Sequence, residues 1–407
     1  MKFIFMIRWF ILVVILLFID FYAFQSLKTI SKNKFILVLY WFISIGILVN
    51  FIVKLTSFNG SKGLTHGIML AIGLLILSII PKITAILVLF SEDIFRVIKA
   101  AFSMSSSTVE THFPARREFI AKVALGLAAV PFASIIYGMT KGKYNFQVIK
   151  HTLFFDDLPS AFDGFNITHI SDIHSGSFDD ENKIDYAINL INEQKSDVIL
   201  FTGDIVNNTF DEMNPWIDYF KKLEAPFGKF SVLGNHDYGE YVHWKTLDEK
   251  EQNFQEIKNI HPKIGFNLLL NDSVYLEKEN EKLAIIGVEN WGTRFKKAGD
   301  LSKASEKIKK EDFKILLSHD PSHWDAEVKN HENNYQLTLS GHTHGMQFGI
   351  EIPGFKWSPI QYVYKYWAGI YKEFNRYINV NRGFGFLAFP GRVGIWPEIT
   401  VITLKKR

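Results

Sequence analysis

The chain has 407 residues, a net charge of +3 and no cysteine. So small a charge gives no bulk electrostatic reason to bind nucleic acid, and no aromatic or basic-helix motif of a nucleic-acid reader occurs. Without cysteine, disulfides and thiolate metal sites are excluded, although this gives no compartment, since a protein in an oxidising space can omit thiols.

Apolar residues crowd the first third of the chain. Phe3 to Phe24 and Phe35 to Val53 are uncharged runs of about the 20 residues that cross a bilayer, the first broken only by Arg8 and Asp20 near its ends. Leu64 to Phe90 is longer and is divided by Pro81-Lys82, which predicts one kinked helix rather than two short spans. The fourth run, Phe119 to Tyr137, follows Ala115-Arg116-Arg117-Glu118-Phe119-Ile120. That stretch partly resembles a twin-arginine export signal, but no small-x-small cleavage site lies near Ala133, so the segment is expected to remain as an anchor. Residues 1–140 therefore read as an all-α membrane region with about four transmembrane helices.

Short basic flanks resist translocation, which places Arg116 and Arg117 in the cytoplasm. Alternation then puts Lys28, Lys32 and Lys34 inside with Arg96 and Lys99, while the outer segments carry mainly Lys2, Lys54 and Lys62. The rest of the chain should emerge on the periplasmic or extracytoplasmic side, although Lys141 and Lys143 just past the last span oppose this.

From about Tyr144 the composition becomes that of a soluble α/β domain, with charged residues on the helix faces. Five β-like runs, Phe165 to Ile170, Val198 to Phe201, Phe230 to Leu233, Ile315 to Leu317 and Leu337 to Leu339, each lead into polar residues. The packets that follow are Asp172-Ile-His174, Gly203-Asp204, Gly234-Asn235-His236-Asp237, Ser318-His319 and Gly341-His342-Thr-His344-Gly345. Strands that repeatedly end in oxygen and imidazole donors can assemble a two-metal site at a sheet edge. Asn182 to Glu193 places Ile184, Ala187, Ile188 and Ile191 on one helical face, as a helix covering a sheet requires. Asp211 to Leu223 reads as a second helix, and Asn267 to Val288 as strand-rich.

Taken in order, D-x-H, GD, GNH with Asp, a lone His and GHxH resemble the calcineurin-like metallophosphoesterase family, over roughly Val148 to Leu404. The C-terminal tail is similar to that of the membrane-associated branch of the family. The resemblance implies a four-layer α/β/β/α sandwich over residues 148–407 and a phosphate-ester hydrolase with two divalent ions, Mn, Fe or Zn. It implies that Asp172, His174, Asp204 and His344 hold one metal, that Asp204, Asn235, His319 and His342 hold the other, and that Asp204 bridges them. A metal-bridging hydroxide would then attack phosphorus in line. His236 is expected to protonate or hydrogen-bond the leaving oxygen, and Asp237 to orient that imidazole and raise its pKa.

Ile205 to Pro226, Tyr238 to Phe254 and Met346 to Asn375 would form the rim. The last carries Phe348, Phe355, Trp357, Tyr362, Tyr364, Tyr366, Trp367, Tyr371 and Phe374. Aromatics with a polar tip suit a membrane interface, which suggests a lipid or lipid-linked substrate; packing of these rings against the sheet is the alternative. Arg382 and Arg392 could bind a nonreacting phosphate or pair structurally, for instance with Glu398. His66 and His112 fall in the membrane half; His151, His169, His243, His261, His323 and His331 match no packet, and among these only His243 is placed to serve a lid. Two other functions fit the same residues: a UDP-diacylglucosamine pyrophosphatase, which needs a cytoplasmic site, and a membrane sensor that binds without turnover.

Overall fold

Four helices account for the apolar N-terminal third: α1 (Lys2–Ile30), α2 (Lys34–Thr56), α3 (His66–Ser103) and α4 (Pro114–Thr140). The structure, a computed structural model, describes residues 2–58, 60, 63–103 and 114–407; Lys62 and His112 lie outside them. The chain divides into two compact units, residues 1–58 with 67–139, and residues 59–66 with 140–407.

Each of the four helices is long and apolar enough to cross a membrane. As expected, Pro81 lies inside one continuous helix, which membrane helices tolerate because neighbouring groups satisfy the freed backbone. Lys82 beside it answers the one carboxylate of α1, forming an ion pair with Asp20. The same ammonium donates to Ser44 Oγ at 2.7 Å and Ser78 Oγ at 2.5 Å, so all three of its hydrogens are used. Tyr40 OH closes the cluster on the Asp20 carbonyl at 2.9 Å. The Asp20 and Lys82 charges are thus paired, as hydrocarbon surroundings demand.

The second unit opens with β1 (Gln147–Phe155) and β2 (Asn166–Ile170), followed by α5 (Glu181–Asn192), β3 (Val198–Phe201), α6 (Ile217–Phe220), β4 (Lys229–Ser231), α7 (Leu247–Lys263) and β5 (Asn267–Leu268). Then come β6 (Asp272–Lys278), β7 (Glu281–Gly287), α8 (Leu301–Ala304), β8 (Lys314–Leu317), α9 (Pro321–Ala326) and β9 (Leu337–Ser340). A two-stranded ribbon, β10 (Ile350–Ile352) and β11 (Phe355–Trp357), precedes β12 (Gly369–Glu373), β13 (Arg376–Val380) and β14 (Glu398–Lys406).

Two six-stranded sheets result, ordered β1-β14-β2-β3-β4-β5 and β12-β13-β9-β8-β7-β6. Strands β2, β3, β4 and β5 run parallel, as do β7, β8, β9 and β13. Leu200, Ile167 and Ile402 of the first sheet meet Ile285, Leu317 and Leu339 of the second in one buried core. The outer face of the first sheet is covered by α5 and α7, and that of the second by α8 and α9. This is the four-layer α/β/β/α sandwich expected from the sequence. Asp180 caps α5 by accepting from Lys183 N at 3.2 Å, and Ile184, Ala187, Ile188 and Ile191 are its buried face, as the periodicity predicts. Asp211 to Leu223 departs from expectation: Phe210–Trp216 is a 3₁₀ segment and only Ile217–Phe220 is α-helical. Pro215 lacks the N–H that an α-helix would use there.

Candidate metal centre and active site

The packets gather because β2, β3, β4, β8 and β9 all present their carboxyl ends to one edge, where open α/β sheets place ligands. Asp172, His174 and His344 bring one donor atom each within 4.8 Å of one another, and so do Asp204, His319 and His342. Asp204 Oδ2 touches both groups, 3.1 Å from His319 Nε2 and 3.6 Å from His174 Nε2. Asn235 Oδ1 joins the second group, 2.8 Å from His342 Nδ1. All seven residues expected as ligands are therefore brought together.

The backbone is strained where these side chains leave it. Asp172, His174, Asp204, His342 and His344, five of the seven, have positive φ between 48° and 70°. Each such residue costs about 1–3 kcal/mol, a strain that persists only where the surroundings impose it. Close approach also explains two glycines: a Cβ on Gly341 would collide with Asp172 Oδ2 and Ser171 Oγ, and one on Gly234 with Asp204 Oδ1.

The donor set suits divalent cations. His174 Nε2 faces His344 Nε2 at 3.0 Å, and His342 Nδ1 faces His319 Nε2 at 3.3 Å. Neutral imidazole nitrogens that carry lone pairs repel when turned toward each other, and a shared cation removes the repulsion. His319 Nδ1 lies 2.7 Å from the Thr202 carbonyl, which fixes its hydrogen there and leaves Nε2 for the site. His342 Nε2 faces Tyr364 OH at 2.9 Å and Asp320 Oδ2 at 3.7 Å, which turns Nδ1 inward. Although burial opposes its charge, His319 is pushed up to about 10 by Asp204 and Asp172. Burial works to raise Asp204, yet the imidazoles of His319 and His236 hold it well below the usual carboxylate range. The two buried carboxylates thus draw positive charge to the centre, which a proton on His319 or a bound cation can supply.

His236 and His342 are partly buried and lie beside Tyr241 and Phe295. The His236 N–H donates to Asp204 Oδ1 at 2.8 Å, its Nδ1 lies 2.8 Å from the Asn207 carbonyl, and its ring lies tilted 4.4 Å from that of Tyr241. Burial holds its pKa below the ordinary histidine value.

Asp237 differs from the sequence expectation. Its carboxylate accepts from the backbone N–H groups of Gly234 at 2.8 Å and of Asp204 and Ile205 at 2.9 Å. It clamps the exits of β3 and β4 together, while a main-chain carbonyl orients His236. Burial and the charge of Asp204 push Asp237 up to about 7.

The two arginines in the C-terminal tail are structural. Arg382 pairs with Glu398 at 2.5 Å and with Glu351, and Arg392 is fully buried with Nη2 3.1 Å from His344 Nδ1 and from the Gly383 carbonyl. Burial lowers Arg392 to about 9. His243 donates its N–H to the Gly60 carbonyl at 2.8 Å. Among the rim aromatics, Tyr366 and Trp367 are core residues, whereas Phe355, Tyr362 and Phe374 are exposed. Asp320 and Phe295, the latter 4.7 Å from the His342 ring, were not foreseen. Asp320 had a signal, since it directly follows His319; Phe295 arrives on a loop that carries none.

Residues 6–143 match the family described as probable calcineurin-like phosphoesterase, transmembrane domain, and residues 165–346 match the calcineurin-like phosphoesterase family. Metallophosphoesterase YkuE of Bacillus subtilis is 34% identical over 298 residues, covering 71% of this chain and 97% of that protein. The chain is a calcineurin-like metallophosphoesterase. A transmembrane protein with metallophosphoesterase domain from Danio rerio is 24% identical to this metallophosphoesterase over 279 residues, 67% of the chain and 60% of that protein. Phosphodiesterase YaeI of Escherichia coli is 27% identical over 263 residues, 64% of the chain and 88% of that protein. The metallophosphoesterase is accordingly a phosphoester hydrolase that carries a membrane domain.

Proposed function

We propose that the chain is a membrane-anchored phosphohydrolase with two divalent cations, Mn, Fe or Zn, acting on a lipid or lipid-linked phosphate ester. Residues 1–140 serve as anchor and residues 148–407 as catalytic body. The observation that carries this reading is the convergence of the two donor groups on Asp204 Oδ2.

Asp172, His174, Asp204 and His344 would hold one cation, and Asp204, Asn235, His319 and His342 the other. Bound there, such a pair neutralises phosphoryl oxygens and lowers the pKa of water within reach. The protein's own contribution is to orient and to deliver a proton. Asp204 turns Oδ2 toward both donor groups while Oδ1 accepts the His236 N–H, and Asp237 fixes the turn that holds it. His236 has its Nδ1 hydrogen engaged by the Asn207 carbonyl, so its free Nε2 takes a proton from solvent and passes it to the leaving oxygen. Phe295 beside His342 and Tyr241 beside His236 keep bulk water from these imidazoles.

A phosphate on a lipid suits an enzyme that already spans the bilayer and whose rim exposes Phe355 and Tyr362. The basic residues Lys28 in the last turn of α1, Lys32 in the connection and Lys34 at the start of α2, with Arg116 and Arg117 at the start of α4, support a cytoplasmic position for those ends. The catalytic body would then be extracytoplasmic.

Full-length protein in liposomes, stripped by chelator and reloaded with Mn, Fe or Zn, should regain hydrolysis of an aryl phosphate and of a lipid phosphate. Absence of turnover on both, with every metal, would refute the hydrolytic reading. Reaction of an introduced Lys278→Cys with an impermeant maleimide on intact cells tests the side; protection there overturns the outer placement.

A further inference from the structure

Ile350 pairs with Trp357, Glu351 with Lys356, and Ile352 with Phe355 in the β10–β11 ribbon. Side chains alternate along strands, so Ile350, Ile352, Phe355 and Trp357 share one face and Glu351 and Lys356 the other. A water-soluble domain buries the apolar face of such a ribbon and leaves the charged one outside.

Here the arrangement is reversed. Glu351 is gripped by both Nε and Nη2 of Arg382, at 2.9 and 2.5 Å, and Arg382 is itself held by buried Glu398. Lys356 donates to the Ala368 carbonyl and lies 4.6 Å from the centre of the buried Trp367 ring. The charged face is thereby fastened to the domain. On the other face Ile350 is 49% exposed, Ile352 58% and Phe355 52%. Tyr362, whose OH accepts from Trp357 Nε1 at 3.4 Å, and Val363 extend the patch.

We propose that this face enters the lipid bilayer, at headgroup depth. A contiguous apolar patch marks an interaction surface, and three observations name a bilayer as its occupant. The same chain carries four membrane-length helices. Only residues 141–146 separate α4 from β1, a tether of about 20 Å at full extension. Trp357 and Tyr362 add polar-tipped rings beside Ile and Phe, the composition of an interfacial belt.

The ribbon is tied to the candidate metal centre. Ser358 Oγ donates to the Gly345 carbonyl at 2.7 Å, and Tyr364 OH lies 2.9 Å from His342 Nε2. Immersing the ribbon therefore brings the mouth of the site to the layer where lipid phosphates reside. The link to substrate rests on the hydrolytic reading above, whereas the bilayer contact does not.

The absence of native cysteine makes the test direct. Ile352→Cys, Phe355→Cys and, as a control at an exposed position of β6, Glu277→Cys are labelled with an environment-sensitive fluorophore in the full chain and reconstituted into liposomes. Labels at 352 and 355 should shift to the blue and be quenched by nitroxide lipids but not by iodide, with the opposite result at 277. An aqueous spectrum at 352 and 355 overturns the proposal. Shielding from both quenchers also overturns it and points to a protein partner or a second copy. In the second arm, Ile352→Asp with Phe355→Asp should cut hydrolysis of lipid phosphate in vesicles by about tenfold or more and leave aryl phosphate turnover unchanged. Equal losses on both would remove the link to substrate. If wild type hydrolyses nothing while the labels report lipid, the hydrolytic reading fails and the bilayer contact stands.

Discussion

Replacing Asp204 with Asn isolates the charge that the two donor groups share. The second group, Asp204, His319 and His342, has no other carboxylate, and Asn235 adds only a neutral oxygen. The first group keeps Asp172. Bound metal should therefore fall from about two ions per chain to about one, and hydrolysis by on the order of 10³, the several kcal/mol that charge stabilisation by the missing ion supplies. Asparagine retains an oxygen able to accept the His236 N–H now bound at 2.8 Å, so the turn should persist and the melting temperature should change little. Elemental analysis of the purified full-length variant, together with aryl phosphate turnover in excess Mn, measures both effects. Two ions and wild-type turnover in a folded Asp204→Asn protein would refute the reasoning.

In the membrane unit, Lys82→Met should destabilise by about 3–5 kcal/mol because it leaves Asp20 buried without a counter-charge. Adding Asp20→Leu should restore most of the loss; thermal unfolding in detergent reads both, and a double variant as weak as the single one contradicts the account. Burial lowers His261 to about 3, with Ser231 Oγ 2.8 Å away as its partner. Because this folded value lies below the ordinary histidine value, the contribution is complete above about pH 6.5 and is lost as pH falls toward 3, reaching about 2 kcal/mol by pH 5. His261→Leu should lower stability at pH 7 yet flatten the fall in melting temperature from pH 7 to pH 5; an unchanged slope shows that His261 does not titrate on unfolding.

Much of the architecture was legible because it is local. Uncharged runs of bilayer length, apolar spacing in α5 and strand runs ending in Asp, Asn or His each lie within about twenty consecutive residues. The packet at Gly341 to Gly345 shows its chemistry before anything folds, since its residue types and glycines are those a backbone near cations requires. The 3₁₀ segment at Phe210–Trp216 was misread for a local reason too, as Pro215 stood in view.

What only tertiary structure decided is which distant group answers each side chain. Asp237 stands next to His236 in the chain, yet it serves Asp204 and Ile205, whose backbone donors come from 33 and 32 residues away. The orienting carbonyl of His236 comes from Asn207, 29 residues earlier. Trp367 and Phe355 looked alike as rim aromatics, but Trp367 packs against Ile395, while Phe355 faces outward because Arg382 fastens the opposite side of its ribbon. Residue type and spacing thus determined the elements and the reactive groups. Hydrogen bonds and burial between remote segments, which no local pattern encodes, determined their roles.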